Sequence, residues 1–132
     1  MALRSAYFMG FDLGGDPNFL LWGDTDGMLS LSTLLRRVAS DAENQFPLAT
    51  ICEPVDAKAV LLRKSSPSLG LIQLTTGFEW ILDSETLKGF ADLVAELAKP
   101  GISAHQYLEV RNRTQIVVRV SCGEYPDDLR PH

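Results

Sequence analysis

The stretch Phe78-Glu79-Trp80-Ile81-Leu82-Asp83-Ser84-Glu85 predicts the end of a strand and the start of a helix. Its first five residues are mostly aromatic or aliphatic, which is typical of a buried strand. We expect Ser84 to be the helix N-cap, with Glu85 favourably placed near the positive end of the helix dipole. An apolar stripe follows at helical spacing, formed by Leu87, Phe90, Val94 and Leu97. Lys99-Pro100-Gly101 then predicts the end of the helix.

The same pattern occurs 59 positions earlier in the chain. Phe19 stands where Phe78 stands, and Asp24-Thr25 matches Asp83-Ser84. The matching apolar stripe consists of Met28, Leu31, Leu35 and Val38. We interpret the two stretches as copies of one strand–helix unit, with the first helix beginning at Asp24 or Thr25 and ending near Ser40.

Further apolar runs predict the remaining strands. After the first helix we expect a hairpin of residues 48–53 and 58–64, and after the second a hairpin of residues 104–110 and a strand around Ile116-Val117-Val118. The two hairpins align at an offset of 56, with Val60 matching Ile116. We also expect a strand at residues 6–11, and one at 71–75 that runs through a bulge at Gly77 into residues 78–82.

These elements predict an α+β fold made of two pseudo-symmetric repeats, each with the order strand, strand, helix, hairpin. They form a mixed, mostly antiparallel sheet with two helices. The 132 residues make a single domain, with repeat halves at about 6–66 and 70–122 and an irregular tail at 123–132. The alternative to a true duplication is chance similarity, because any two β-α-β-β units have similar spacing of their apolar residues.

Two of the predicted strands carry apolar side chains on both faces. They are the strands of Val60-Leu61-Leu62 and Ile116-Val117-Val118. One face is expected to take the helices, and the other to be covered by another sheet, by a second subunit or by a partner. The sequence therefore favours association, with a protein partner or with a second copy, through an apolar sheet face.

Composition and charge exclude several classes of function. No apolar run approaches the ~20 residues that span a membrane, and residues 1–5 do not resemble a signal peptide. We therefore expect a cytoplasmic protein in which Cys52 and Cys122 are reduced. The net charge of −5, without a Lys/Arg cluster, argues against nucleic-acid binding. The acidity serves solubility or complements a basic partner.

One glycine-rich segment resembles a phosphate loop. Residues 9–16 are similar to the first phosphate loop of sugar kinases in the actin-like ATPase family, with Asp12 as the catalytic-site acid and Gly14-Gly15 as the backbone cradle. Asp16-Pro17 stands where that family has a hydroxyl residue. Asp16 would place a negative charge beside the phosphate, and Pro17 has no backbone N–H to donate to it. We therefore interpret the segment as a turn that closes a hairpin.

The polar residues suggest a catalytic candidate and a binding candidate. Cys52 and His105 would form a nucleophile–base pair only if their strands are adjacent; otherwise Cys52 is a small buried hydrophobe. Metal-ligand spacings such as CxxC or HExxH are absent from the sequence, so we expect neither a metal nor a cofactor. A surface for a basic partner is predicted on the tail, at Glu124, Asp127 and Asp128, and a solvated chain end is the alternative.

The second half of the chain resembles small bacterial immunity-type proteins, which neutralise partner toxins. The resemblance covers residues 78–98, then Tyr107-Leu108-Glu109 and the strand of Ile116-Val117-Val118. It implies a non-catalytic cytoplasmic protein that holds a protein partner on an acidic or apolar surface, and it transfers no site residues. The alternative is a small-molecule-binding protein or small enzyme with a cavity between the repeat halves.

Overall fold

The computed structural model describes residues 2–9, 17–41, 43–99, 101, 103–110 and 116–131. In this part of the chain the fold is α+β, with two helices and two mixed sheets of five and four strands. The helices are α1 (Thr25–Ser40) and α2 (Ser84–Leu97). The strands, in chain order, are β1 (Leu3–Phe8), β2 (Asn18–Gly23), β3 (Gln45–Pro47), β4 (Glu53–Pro54), β5 (Ala59–Lys64), β6 (Gly70–Gln73), β7 (Gly77–Leu82), β8 (Ala104–Tyr107) and β9 (Val117–Cys122).

Each helix is capped by an aspartate. The side chains of Asp24 and Asp83 each accept a 2.8 Å hydrogen bond from the backbone N–H three residues later. Ser84, the predicted N-cap, is instead the first residue of α2, and its hydroxyl donates to the carbonyl of Ala39 near the end of α1. The prediction was one residue late because the aspartate before it supplies the acceptor for the unpaired N–H groups of the first turn.

Each sheet takes strands from both halves of the chain. The order is β4-β1-β2-β9-β8 in the five-stranded sheet and β6-β7-β5-β3 in the four-stranded sheet. In both, the strand before a helix pairs in parallel with the last strand of the other half, β2 with β9 and β7 with β5. The matching orders are what a duplication would produce, and the duplication itself stays a prediction.

The two halves match in a different register from the one that the sequence indicates. Phe19 lies opposite Val118, and Phe78 lies opposite Val60. Val60 is therefore the counterpart of Val118, an offset of 58, whereas the alignment predicted an offset of 56. A shift of two residues keeps the same side chains on the same face of a strand, so the apolar pattern does not distinguish the two registers.

The hairpin after α1 does not have its predicted strand. Residues 48–53 form a single 3-10 turn (Leu48–Thr50) followed by β4, and the strand that pairs with β5 is β3. In β3 only Phe46 is buried, between exposed Gln45 and Pro47. A three-residue strand with one buried side chain has no periodic signal, so the sequence pattern did not predict it.

Gly77 closes the tight turn between two strands and is not a bend within one long strand. Strands β6 and β7 are antiparallel partners, joined by a turn in which the N–H of Leu74 donates to the carbonyl of Gly77 at 2.7 Å. A Cβ at Gly77 would lie 2.4 Å from the carbonyl oxygen of Ala59 on the neighbouring strand. The glycine therefore marks a close approach of two backbones, and the predicted bulge was wrong.

One core fills the space between the inner faces of the two sheets and the helices. The predicted stripe residues are all buried in it: Met28, Leu31, Leu35, Val38, Leu87, Phe90, Val94 and Leu97. The ring of Phe78 lies 5.3 Å from the rings of both Tyr7 and Phe19, so aromatic side chains of the two sheets pack directly on one another.

Several predictions fall on residues without a described structure. Asp12 and Gly14-Gly15 of the phosphate-loop resemblance lie outside the described residues, as do residues 10–11 of the predicted first strand. The first strand begins earlier than predicted, because the polar residues Arg4 and Ser5 pair with β2 as well.

Candidate functional site

The C-terminal segment, residues 123–131, covers the outer face of the five-stranded sheet. Successive side chains of a strand point to opposite faces, and the outward ones here form a second apolar cluster away from the helices. On the sheet it consists of Ala6, Phe8, Leu20 and Trp22. Tyr125 and Leu129 of the C-terminal segment pack against this cluster, and the indole N–H of Trp22 donates to the carbonyl of Pro126 at 3.1 Å. The chain thus covers one apolar sheet face with its own tail.

Glu124 is held at the start of this segment by three side chains of the sheet. The hydroxyl of Ser121 donates to its carboxylate, both carboxylate oxygens lie 3.1 Å from Nδ1 of His105, and a guanidinium nitrogen of Arg119 lies at 3.7 Å. Burial opposes ionisation, but the hydrogen bonds from Ser121 and His105 and the nearby positive charge outweigh it, so the pKa of Glu124 is lowered.

Arg119 lies between two tyrosine rings, with only 16% of its side chain exposed. Its guanidinium carbon is 5.5 Å from the ring centroid of Tyr107 and 5.7 Å from that of Tyr125. Both distances are within the range of cation–π attraction. It also donates to the Tyr107 hydroxyl at 3.3 Å. We call His105, Tyr107, Arg119, Ser121 and Glu124 the His105–Glu124 cluster.

The ring nitrogen of His105 has two competing partners. Nδ1 lies 3.2 Å from a guanidinium nitrogen of Arg119 as well as 3.1 Å from Glu124. A protonated Nδ1 donates to the carboxylate, whereas an unprotonated Nδ1 accepts from Arg119. The cluster therefore has two alternative hydrogen-bond arrangements, in which His105 pairs either with Glu124 or with Arg119.

The predicted acidic surface is divided by the structure. Glu124 faces the sheet, so it is not a free surface carboxylate. Asp127 accepts from Arg4 at 3.1 Å and keeps 80% of its side chain exposed. Asp128 is exposed. Two of the three carboxylates thus bind cations of the same chain. Sequence patterns do not indicate these pairs, because Arg4 is more than a hundred residues from Asp127 and His105 lies on another strand than the one before Glu124.

The structure does not bring Cys52 and His105 together. Cys52 directly precedes β4, and His105 lies on β8, at the opposite edge of the five-stranded sheet. Four strand spacings separate these edges, roughly 19 Å. Cys52 also belongs to the main core, where burial raises its thiol pKa to about 11. A thiol in this environment stays protonated and is a poor nucleophile.

An open groove of about 410 Å³ lies beside α1. It is bounded by one face of α1 and by the segment from β3 to the 3-10 turn, and its lining residues are Leu29, Ser30, Thr33, Leu34, Arg37, Phe46, Thr50 and Ile51. Leu29 is 50% exposed at this groove. The guanidinium of Arg37 lies 5.3 Å above the ring of Phe46. The signal that the sequence offered was Leu29 itself, a leucine outside the apolar stripe of its helix.

The outer face of the four-stranded sheet is more polar than predicted. It carries Leu61 and Ile72, both partly exposed, beside an ion pair of 3.3 Å between Arg63 and Glu79. A smaller depression of about 190 Å³ lies near Leu74 at one end. A charged pair in the middle of the face makes it a poorer apolar docking surface than the groove.

Metal and membrane sites can be assessed for the described ranges only. Within them, no three side chains of His, Cys, Asp or Glu come together as a metal site would require. Likewise, no helix in these ranges combines the length and apolar character needed to cross a bilayer.

Comparison with known proteins gives no relative. No protein-family model, no curated protein and no solved structure matches this chain. Function must therefore be inferred from the side chains that the fold places together.

Proposed function

We propose that this chain is a non-catalytic binding module that holds a segment of a partner protein in the groove beside α1. The observation that carries the proposal is the half-exposed Leu29 at the edge of an open apolar groove. Apolar area that leaves water on binding contributes about 25 cal/mol per Å², and helix-lined grooves of this kind receive apolar anchor side chains.

The rim of the groove indicates the chemistry of the partner. Arg37 is 63% exposed, and its 3.4 Å contact with Asp41 is a surface ion pair of the kind that contributes little. A carboxylate on the partner would replace Asp41 at small cost. The partner segment that fits therefore presents apolar side chains with an acidic residue beside them.

The resemblance to immunity-type proteins supplies a narrower form of the proposal, in which the partner is a toxin that is inactive while bound. A cytoplasmic location belongs to the same proposal. It is supported by the two buried cysteines, Cys52 and Cys122, which are both unbridged as is usual in a reducing compartment.

Site-specific photo-cross-linking tests the proposal. A photoreactive amino acid at Thr33, in the full chain expressed in its native host, should cross-link one partner protein. Leu29→Arg should abolish the cross-link, because it places a charge in the groove. Leu93→Arg, at a 37% exposed leucine of α2 that does not line the groove, should leave it unchanged. A cross-link that survives Leu29→Arg, or none at all, contradicts the proposal.

A small apolar ligand is the second candidate occupant. The groove volume of about 410 Å³ falls in the ≈ 300–1,000 Å³ range of small-molecule sites. This groove is formed by the first half alone, whereas the sequence suggested a cavity between the halves. Native mass spectrometry of the purified chain distinguishes the occupants, since a bound small molecule that Leu29→Arg displaces would favour this alternative.

A further inference from the structure

The C-terminal segment is bound to the outer face of the five-stranded sheet much as a separate peptide would be. Residues 123–131 form neither a helix nor a strand, and beyond Gly123 the contacts with the sheet are made by side chains and by the carbonyl group of Pro126. The sheet contributes Arg4, Trp22, His105 and Arg119. The anchors of the C-terminal segment are, in order, Glu124, Tyr125, Pro126, Asp127 and Leu129.

Charge on the two sides is complementary. The sheet side presents the guanidinium groups of Arg4 and Arg119, and the segment side presents the carboxylates of Glu124 and Asp127. In a chain of net charge −5, these two guanidinium groups face two carboxylates across the contact, and charge complementarity of this kind selects partners.

The backbone pairing of β2 and β9 ends at Gly123. Gly123 joins β9 to the segment with φ of +74°, a conformation that glycine adopts without strain. Its N–H donates to the carbonyl of Gly23 at 3.0 Å, which continues the β2–β9 ladder up to this residue. Beyond Gly123 the contacts are partly solvent-exposed, with Asp127 80% exposed.

We propose that the outer face of the five-stranded sheet is a second docking surface, for an extended acidic segment of another protein, and that residues 124–129 occupy it in cis. The external segment that fits has an acidic residue, an aromatic residue and a proline in succession, then a second acid and an aliphatic residue. The C-terminal segment competes with it, so the apparent affinity of the external segment rises when the C-terminal segment is released.

Full-length variants and a synthetic peptide test this proposal. Glu124→Lys places a cation against His105 and Arg119 and should release the C-terminal segment, seen as faster hydrogen exchange of the buried Trp22 indole N–H, which donates to Pro126 while the segment is bound. Asp127→Lys, at an exposed position where folding is not at risk, should release it partly. Asp128→Lys makes the same charge change at an exposed residue and should behave as the unmodified chain.

The probe is a labelled peptide with the sequence of residues 123–131, followed by fluorescence anisotropy. We expect it to bind the Glu124→Lys chain at least about tenfold more tightly than the unmodified chain, because the intramolecular competitor is gone. Replacing the glutamate of the peptide by alanine should abolish binding.

Two results would overturn the proposal: exchange of the Trp22 indole N–H that neither Glu124→Lys nor Asp127→Lys accelerates, or a released segment without peptide binding. The outer face of the five-stranded sheet and the groove beside α1 share no lining residues. Leu29→Arg should therefore leave peptide binding unchanged, so the two proposals can fail separately.

Discussion

The hydroxyl of Ser32 donates a buried 2.8 Å hydrogen bond to the carbonyl of Ala91, and these residues are 59 positions apart. That interval is the one at which the sequence pattern repeats. Phe19 and Phe78, also 59 apart, meet edge to face at 5.3 Å. Residues that the repeat makes equivalent therefore contact one another, as residues near an axis between two similar halves do. The contacts favour the duplication hypothesis.

Ser32→Ala should destabilise the protein by about 1 kcal/mol, because it removes the buried hydrogen bond between the helices. Ser30→Ala is the matched control on the exposed side of α1, where the change should stay within about 0.5 kcal/mol. Urea unfolding of both variants measures the difference. Equal effects would mean that the Ser32–Ala91 contact does not stabilise the helix pair.

Two glycines should respond in opposite directions to alanine. Gly77→Ala should cost about 1–3 kcal/mol, because its Cβ would lie 2.4 Å from the Ala59 carbonyl oxygen and force the strands apart. Gly89→Ala, inside α2 with no atom within 4 Å of the new Cβ, should gain roughly 0.5–1 kcal/mol. Thermal unfolding checks both, and a tolerated Gly77→Ala would contradict the close approach of β5 and β7.

Acid should weaken the contact between Glu124 and the sheet. The folded pKa of Glu124 is lowered from 4.5, so its charge stabilises the fold above that value and this stability is lost as the pH falls through the folded pKa. His105 and Arg119 face the carboxylate, with Ser121 and Tyr125 beside it.

Glu124→Gln should therefore destabilise the protein at pH 6 and much less at pH 3. Glu109→Gln, at an exposed position, is the control. Urea unfolding across this pH range gives the comparison. A difference between the Glu124→Gln and unmodified chains that does not shrink with acid would show that the carboxylate charge is not what holds Glu124.

Neither thiol should react in the folded protein. Cys52 and Cys122 are 2% and 3% exposed, and burial raises both pKa values, that of Cys52 to about 11. We expect no reaction with Ellman's reagent at pH 8 until urea unfolds the chain, when both thiols should react. Fast labelling of Cys52 in the native state would contradict its burial and would favour the hypothesis that it is a nucleophile.

The helices were predictable because their signals are local. A capping residue and an apolar stripe at helical spacing lie within one stretch of sequence, so α2 was predicted with its cap placed one residue late, at Ser84 instead of Asp83. Strand partners are not local: the offset error between Val60 and Val118 arose because both registers bury the same faces. Strand β3 was not predicted, because its only buried residue is Phe46 and one residue makes no periodic pattern.

The residues of the His105–Glu124 cluster were predicted separately, not as one site. His105 entered as a partner for Cys52, and Glu124 as part of an acidic surface, yet they meet because β8 and β9 pair and Glu124 follows two residues after β9. That meeting depends on pairing and on the turn at Gly123, which composition does not encode. Tyr125 and Leu129, apolar residues within a polar tail, were the available signal that this tail packs on a sheet.

The most direct test of the proposed function is a methyl NMR titration of the full chain with the partner identified by cross-linking at Thr33. We expect the largest shifts at Leu29, Leu34 and Ile51 of the groove, and little change at Leu129 of the C-terminal segment. Largest shifts instead at Leu61 and Ile72, on the outer face of the four-stranded sheet, would contradict docking in the groove.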